Sequence, residues 1–414
     1  MDVSHPEIEE FINMRKTTGG DLNRKCLNLH NAVTVNDKFL KAVQDNTEWR
    51  LIDPKSNEAI KIMSARDIWF QIINTRAETG EPYIVNLDRC NEELPQHQKD
   101  IGLKVTQSNL CSEITLPTNE ERTAVCCLSS VNLEYFDDWK DSEEFIDDMI
   151  TMLDNVLEHF IEHSTDTQNM GKYNATYDRF KNYVKEDHKG FTKAAYSAYR
   201  ERAIGLGAMG FCSYLQRNAI NFESMYATSF NHLLAIAPNA SSSIICGGTS
   251  PSVEPQRANT FTHKTLTGSY KVKNKYLEAL LKKKGINNEE TWKDIAAHEG
   301  SVQHLDELSE EEKEIFRTAP ELNQLWIIEH AHQRQQYICQ SQSINLFFTF
   351  PKATEPQDVH NSYLEYVNSV HWAGANKLKS LYYLRSDAAR AAENVNIKIP
   401  KINLEDMECL SCEG

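Results

Sequence analysis

A chain of 414 residues is long enough for two or three average domains or for one large α/β barrel. Its formal net charge of −16 argues against a nucleic-acid coat, which needs a basic face, while leaving room for a nucleotide held locally by amides and hydroxyls. No apolar run reaches the length of a membrane span, the acidic N-terminus lacks signal-peptide character, and ten cysteines without compact spacing point to a reducing, cytoplasmic setting.

In chain order, residues 1–75 read as helical and polar, broken at Thr17-Thr18-Gly19-Gly20. Pro82 to Leu87 is a β-type run that ends in a polar turn. The stretch Gln107 to Asn132 follows, and it carries the chemistry. Cys111 is flanked two residues away by Asn109 and Glu113, so a looped or extended backbone can aim a thiol, a carboxamide and a carboxylate at one ligand. A lone cysteine is more often an inert core residue. Here a second thiol site, Cys126-Cys127, lies farther along and two more thiols close the chain, which favours chemistry. Ala124 to Leu133 reads as the next strand.

Residues 143–163 predict an amphipathic helix, with Phe145, Met149, Met152, Leu153, Val156, Leu157 and Phe160 on its apolar side. Gly205, Gly207 and Gly210 match G-x-G-x-x-G in letters. They follow a charged helical segment, so they are read as close-packing positions and not as a dinucleotide site. Pro238-Asn239-Ala240-Ser241-Ser242 follows a short apolar run. Its hydroxyls, amide and freed backbone N–H groups suit a phosphate cradle and a plain N-capped turn about equally. Residues 266–325 read as a charged helical insertion, Gln340 to Phe348 as a strand, and Glu355 to Ser380 as a long helix running into Tyr382-Tyr383. From Asn394 the chain becomes a loose tail ending Cys409-Leu410-Ser411-Cys412. That pair has no second pair to complete a zinc site, whereas a mobile dithiol suits a redox shuttle. The sequence offers no His/carboxylate cluster for a metal hydrolase.

The run N-L-C-x-E-I from Asn109, followed by C-x-L-S-x-x-N-L from Cys126, resembles the active-site loop of the large, catalytic subunit of class I ribonucleotide reductases of the enterobacterial and phage type. The resemblance implies an α/β fold: the C-terminal half of a ten-stranded α/β barrel, with a central finger loop at about 107–123 bearing Cys111. Residues 1–75 become a lead-in, 76–393 the half-barrel with its insertion, and 394–414 a redox-active tail.

It also implies roles. Cys111 becomes a thiyl radical that takes the ribose 3′ hydrogen, Glu113 is the general base at the 3′ hydroxyl, and Asn109 bonds the ribose hydroxyls. Cys126 joins the dithiol that supplies two electrons, with Cys127 an extra thiol beside it, and Cys409 and Cys412 reload that dithiol. Tyr382 and Tyr383 pass the radical, while Pro238, Asn239, Ala240, Ser241 and Ser242 hold the substrate phosphates.

No cofactor is expected on this chain. The partners implied are a small subunit with a di-iron tyrosyl radical, thioredoxin or glutaredoxin as reductant, and a ribonucleoside diphosphate as substrate. The N-terminal helical and allosteric parts, the first half of the barrel and the strand carrying the redox partner of Cys126 are absent, so a separate N-terminal-half polypeptide is expected, as in a split phage gene. The competing reading is a catalytically inactive remnant that binds nucleotide or partners. A glycyl-radical enzyme is disfavoured because the chain ends in a dithiol tail where that class carries an R-V-x-G type loop.

Overall fold

Ala32-Val33-Thr34-Val35 is a short β-branched run, and it forms strand β1 (Ala32–Val35). A hairpin of β2 (Glu48–Ile52) and β3 (Ala59–Ser64) follows. The side chain of Ser64 then accepts from the backbone N–H of Asp67 to cap a helix, Ala65–Thr79, and Gly80 stops that helix with φ at 84°. The chain turns directly into β4 (Tyr83–Asn86), all four residues of which are buried. β1 lies parallel to β4, with Ala32 opposite Tyr83. The helical expectation for residues 1–75 therefore holds for Ile8–Asn13, Asp37–Asp45 and Ala65–Thr79 but not for β1, β2 and β3. A four-residue strand shows too little alternation to be read locally, and its partner lies far along the chain.

The computed structural model describes residues 1–166, 168, 175–224, 235–265, 268–352 and 354–386. Within them, β5 (Cys127–Asn132) runs parallel to β6 (Ile204–Met209), with the helices Glu143–Ser164 and Thr192–Glu201 in the crossover. A second hairpin pairs β7 (Thr260–Thr265) with β8 (Gly268–Lys273). Near the end of the described chain, β9 (Leu346–Phe347) is parallel to β11 (Leu384–Arg385). Between them in sequence, β10 (Ser380–Leu381) lies antiparallel on the free side of β4. Parallel pairs bridged by helices make this a mixed α/β fold. One apolar core joins the pairs, with Val33, Ile84, Val131, Leu206, Leu346 and Leu381 all within it.

The three glycines of the G-x-G-x-x-G letters are packing positions. A Cβ at Gly205 would sit 2.3 Å from Leu128 Cδ2, one at Gly207 would sit 2.5 Å from the Ala235 carbonyl oxygen, and Gly210 lies against Asn132 with φ at 80°. On the helix Glu143–Ser164, Leu153 and Leu157 are buried as expected, and Ile161, outside the expected set, is buried with them. Met152 and Val156 stay about half exposed, so the apolar stripe is narrower than the sequence suggests. The expected helical insertion opens on the β7–β8 hairpin. Its helices Lys275–Lys283 and Glu289–Ala297 pack a small core of their own around Leu281, Trp292 and Ile295. Gln340 to Phe348 is regular strand only at β9. No helix among the described residues is long and apolar enough to cross a membrane.

Two core histidines carry a pH consequence. His371, on the helix Gln357–Lys377, donates from Nδ1 to the Val367 carbonyl at 2.7 Å and stacks on Phe348. His330 donates from Nε2 to the Phe222 carbonyl at 2.8 Å. Burial, aided by Arg76 beside His371 and Arg334 beside His330, lowers these rings to about 3 and about 4 respectively. A depressed folded value means that stability present above the unfolded histidine range, about 6.5, is lost as pH falls toward the folded value. By about pH 4.5 each neutral ring is expected to have cost the fold on the order of 2 kcal/mol. Urea denaturation across that pH range should show the decline, with a shallower slope in His371→Asn.

Candidate active site

The loop carrying Cys111 has no regular secondary structure, and side chains hold its shape. The Asn109 carboxamide oxygen accepts from the Ile114 backbone N–H at 3.1 Å, and the Ser112 N–H donates to the Asn109 carbonyl at 3.2 Å. Ser112 takes a positive φ of 65° at the tip. The segment before β9 fixes the loop from below. The Ser341 N–H donates to the Glu113 carbonyl at 2.7 Å, the Gln340 side chain accepts from the Thr115 N–H at 2.7 Å, and the Ser343 hydroxyl donates to the Cys111 carbonyl. Ser380 of β10 adds a bond from its hydroxyl to the Ser112 carbonyl at 3.0 Å. Residues 111–116 are buried as a result, while Asn109 and Leu110 stay exposed.

Glu113 is 2% exposed, and its carboxylate meets the Ser343 hydroxyl at 3.3 Å and the Asn109 carboxamide. Burial outweighs these hydrogen bonds and raises its carboxyl above the usual carboxylate range. A carboxylate whose proton affinity is raised by burial is better matched to taking a proton from a hydroxyl. The three residues at spacing two are thus brought onto one loop, with Asn109 and Glu113 in direct contact.

Cys111 packs in a cluster with Tyr83 and Tyr382, and its thiol hydrogen-bonds the Tyr382 side chain. Tyr382 and Tyr383 fall in the gap between β10 and β11, which resolves how adjacent residues of a strand region can both face one site. Their ring centroids are 4.4 Å apart. Burial, then Tyr383 and Cys111, holds the Tyr382 phenol above its ordinary range, so it is neutral at physiological pH. Tyr83 completes the cluster, 4.6 Å from the Tyr382 ring and 5.0 Å from that of Tyr383. Sequence reasoning missed Tyr83, Gln340, Ser341, Ser343 and Ser380, whose roles depend on contacts between distant segments. The one available signal was the polar run Gln340 to Ser343, which is wholly buried.

Cys126 packs beside Ile114 and Leu116 of the loop. Burial, with Cys127, Glu113 and Cys339 nearby, pushes its thiol up to about 12, so the group is held as a thiol. Cys127 lies in β5 opposite Ile204. The turn Pro238 to Ser242 opens the short helix Ala240–Ile245, with Ser241 and Ser242 exposed. Ile236, just before it, bridges in parallel to Gln342, so the turn and the Cys111 loop rest on one supporting segment. A cleft of about 620 Å³ lies on the open side of the loop, lined in part by Met1, His30, Tyr83, Asn109 and Leu110. Cys409 and Cys412 lie outside the described residues.

One sequence expectation is corrected. A His/carboxylate cluster does exist: the ligand atoms of Asp294, His298 and His304 lie within 4.8 Å of one another. These residues come from a helix and the loop after it, so the sequence does not group them. The Asp294 carboxylate is contacted by both imidazoles, at 3.3 and 3.0 Å.

The comparisons with known proteins fit this geometry. The family model for the ribonucleotide reductase barrel domain matches residues 1–235 and 226–384. The chain belongs to that family. It is 37% identical to the ribonucleoside-diphosphate reductase large subunit of Invertebrate iridescent virus 3, over 100% of this chain and 75% of the relative. It is also 37% identical to the putative large subunit of Frog virus 3, over 100% of this chain and 74% of the relative. The class Id ribonucleotide reductase alpha subunit of Actinobacillus ureae superimposes with a TM-score of 0.71 at 34% identity, covering 95% of this chain and 71% of that one. The chain spans about three quarters of these relatives, and 45% of the alpha subunit of Chlamydia muridarum, to which it is 26% identical over 98% of its own length.

Proposed function

We propose that this reductase chain is the catalytic part of a ribonucleoside-diphosphate reductase that works by a thiyl radical. The observation that carries the reading is the placement of Cys111. Its thiol bonds Tyr382, whose ring lies tilted against that of Tyr383, while Glu113 and Asn109 stand on the same loop. In this account a one-electron oxidant on a small subunit draws an electron through Tyr383 and Tyr382, and the Cys111 thiol loses its hydrogen to become a thiyl radical. That radical removes the 3′ hydrogen of a ribonucleoside diphosphate. Glu113 takes the 3′ hydroxyl proton, Asn109 steadies the sugar, the 2′ hydroxyl takes a thiol proton and leaves as water, and Cys111 at the end returns the hydrogen to the 3′ carbon. A dithiol including Cys126 supplies the two electrons and closes to a disulfide, which the tail thiols Cys409 and Cys412 reduce in turn. The first turn of the helix after Pro238, with Asn239, Ala240, Ser241 and Ser242, takes the phosphates.

The same reading makes β1, β4, β10 and the pairs β5–β6 and β9–β11 part of a barrel that a second polypeptide completes. It would also cover the open side of the Cys111 loop and bring the second thiol for Cys126. The chain alone, the chain with a candidate N-terminal half, and both with a radical-bearing small subunit should be assayed for conversion of CDP to dCDP. Activity is expected only in the full mixture. Turnover by the chain and small subunit without the third component would refute the split arrangement.

A further inference from the structure

Beyond the tyrosine pair, the structure continues in an unbroken chain of hydrogen bonds. The Tyr383 hydroxyl meets Nδ1 of His30 at 3.0 Å, and the same nitrogen meets Oε1 of Glu81 at 2.7 Å. Glu81 is fully buried, immediately before the β4 segment, and its other oxygen accepts from the Asn31 backbone N–H at 3.0 Å with the Arg15 guanidinium at 3.6 Å. His30 itself is partly open, its side chain 29% exposed. Three donors thus converge on a carboxylate with no water access, and that carboxylate fixes the imidazole against the phenol.

An oxidised phenol is a very strong acid, so a tyrosine passes an electron at accessible potentials only if its proton has somewhere to go. For Tyr382 the neighbours are Cys111 and the other tyrosines. For Tyr383 the polar side chains in direct contact include His30 and Arg385, and the Arg385 guanidinium, 4.1 Å from the ring centroid, cannot accept a proton.

Resting on the radical-transfer reading above, we propose that His30, anchored by Glu81, is the proton partner of Tyr383. When Tyr383 gives one electron to the oxidant, a tyrosyl radical on the small subunit, its O–H bond breaks and the phenolic proton moves to Nδ1 of His30. Because Nδ1 has a single in-plane position, the proton it holds toward Glu81 passes onto the carboxylate as the phenolic proton arrives. Tyr383 is left as a neutral radical and the His30–Glu81 pair has gained one proton. When Tyr383 takes an electron back, the proton returns by the same route. His30 and Glu81 are positioning and proton-holding groups that need not touch substrate. The charged and titratable groups facing them are Arg15, Arg76, Arg385, Tyr83 and Tyr382.

The test uses the full chain without substrate or small subunit, so its outcome is separate from whether the chain reduces ribonucleotides. Tyr383 is replaced by 3,5-difluorotyrosine, whose fluorine hyperfine pattern identifies the radical at that position by EPR. A flash-generated ruthenium(III) tris-bipyridine serves as oxidant, in H₂O and in D₂O. Radical formation at 383 is expected to show a solvent isotope effect, to slow about 100-fold in His30→Gly, the low end of what a positioned base contributes, and to recover with added imidazole. Glu81→Gln should slow it less. If His30→Gly does not fold, His30→Gln and the isotope effect in the unaltered site carry the test. Formation without an isotope effect, or at an unchanged rate in the folded His30 variant, would overturn the proposal. So would failure of imidazole to restore the rate in folded His30→Gly.

Discussion

Tyr382→Phe is expected to abolish CDP reduction in the reconstituted complex while leaving the fold and substrate binding intact. The phenyl ring keeps the packing against Tyr83 and Tyr383, whose centroids lie 4.6 and 4.4 Å away. Only the hydroxyl that bonds Cys111 is removed. Loss of its bonds to Cys111 and to the neighbouring phenols costs on the order of 1 kcal/mol each, too little to unfold a domain. Turnover, by contrast, loses the phenol that hydrogen-bonds the Cys111 thiol. Comparing dCDP formation with the thermal midpoint separates the two effects: activity below detection with a midpoint within a few degrees of the parent is the expected pair. Appreciable turnover in this variant would mean that the radical reaches Cys111 by another route, with Tyr83 the nearest candidate.

The second large effect is at Glu113. Glu113→Gln keeps the size and the contacts to Ser343 and Asn109 but removes the proton acceptor. A loss of about 10²- to 10⁴-fold in turnover is expected, the range a general base supplies. Stability should move the other way. Because burial raises the folded carboxyl, the stability associated with its protonated form is present in acid and lost as pH rises through the folded value. The glutamine variant is therefore expected to match the parent at low pH and to exceed it once pH has risen from the unfolded carboxylate range through the folded value, with a constant difference above that. Urea midpoints at several pH values would show this crossover, and a constant offset at all pH values would contradict it.

How much was legible in the sequence depended on the distance over which each feature is encoded. Asn109, Cys111 and Glu113 lie within one turn, so their grouping could be read directly, and the loop bonds Asn109 to Ile114 confirm a local origin. The helix Glu143–Ser164 was legible for the same reason, since its period repeats many times. Strand β1 was not, because four residues hold no period and the strand exists by pairing with β4. The adjacency of Tyr382 and Tyr383 could be seen, but their meeting with Cys111 could not. It arises because β10 pairs with β4 and Ser380 grips the tip of the loop. Tyr83, His30 and Glu81 carried no signal at all. The bond between Tyr383 and His30 spans 353 positions, and nothing in either neighbourhood marks the other.

The measurement that bears most directly on the central claim is dCDP formation by the fully reconstituted complex, parent against Cys111→Ser. Serine preserves the loop and its bonds from Ser343 and Ser341 but cannot form a thiyl radical, because its O–H bond is far stronger than the thiol S–H bond. The account predicts dCDP from the parent complex and none above background from the variant, with substrate binding retained. Comparable dCDP from both would place the chemistry elsewhere and contradict the assignment of Cys111.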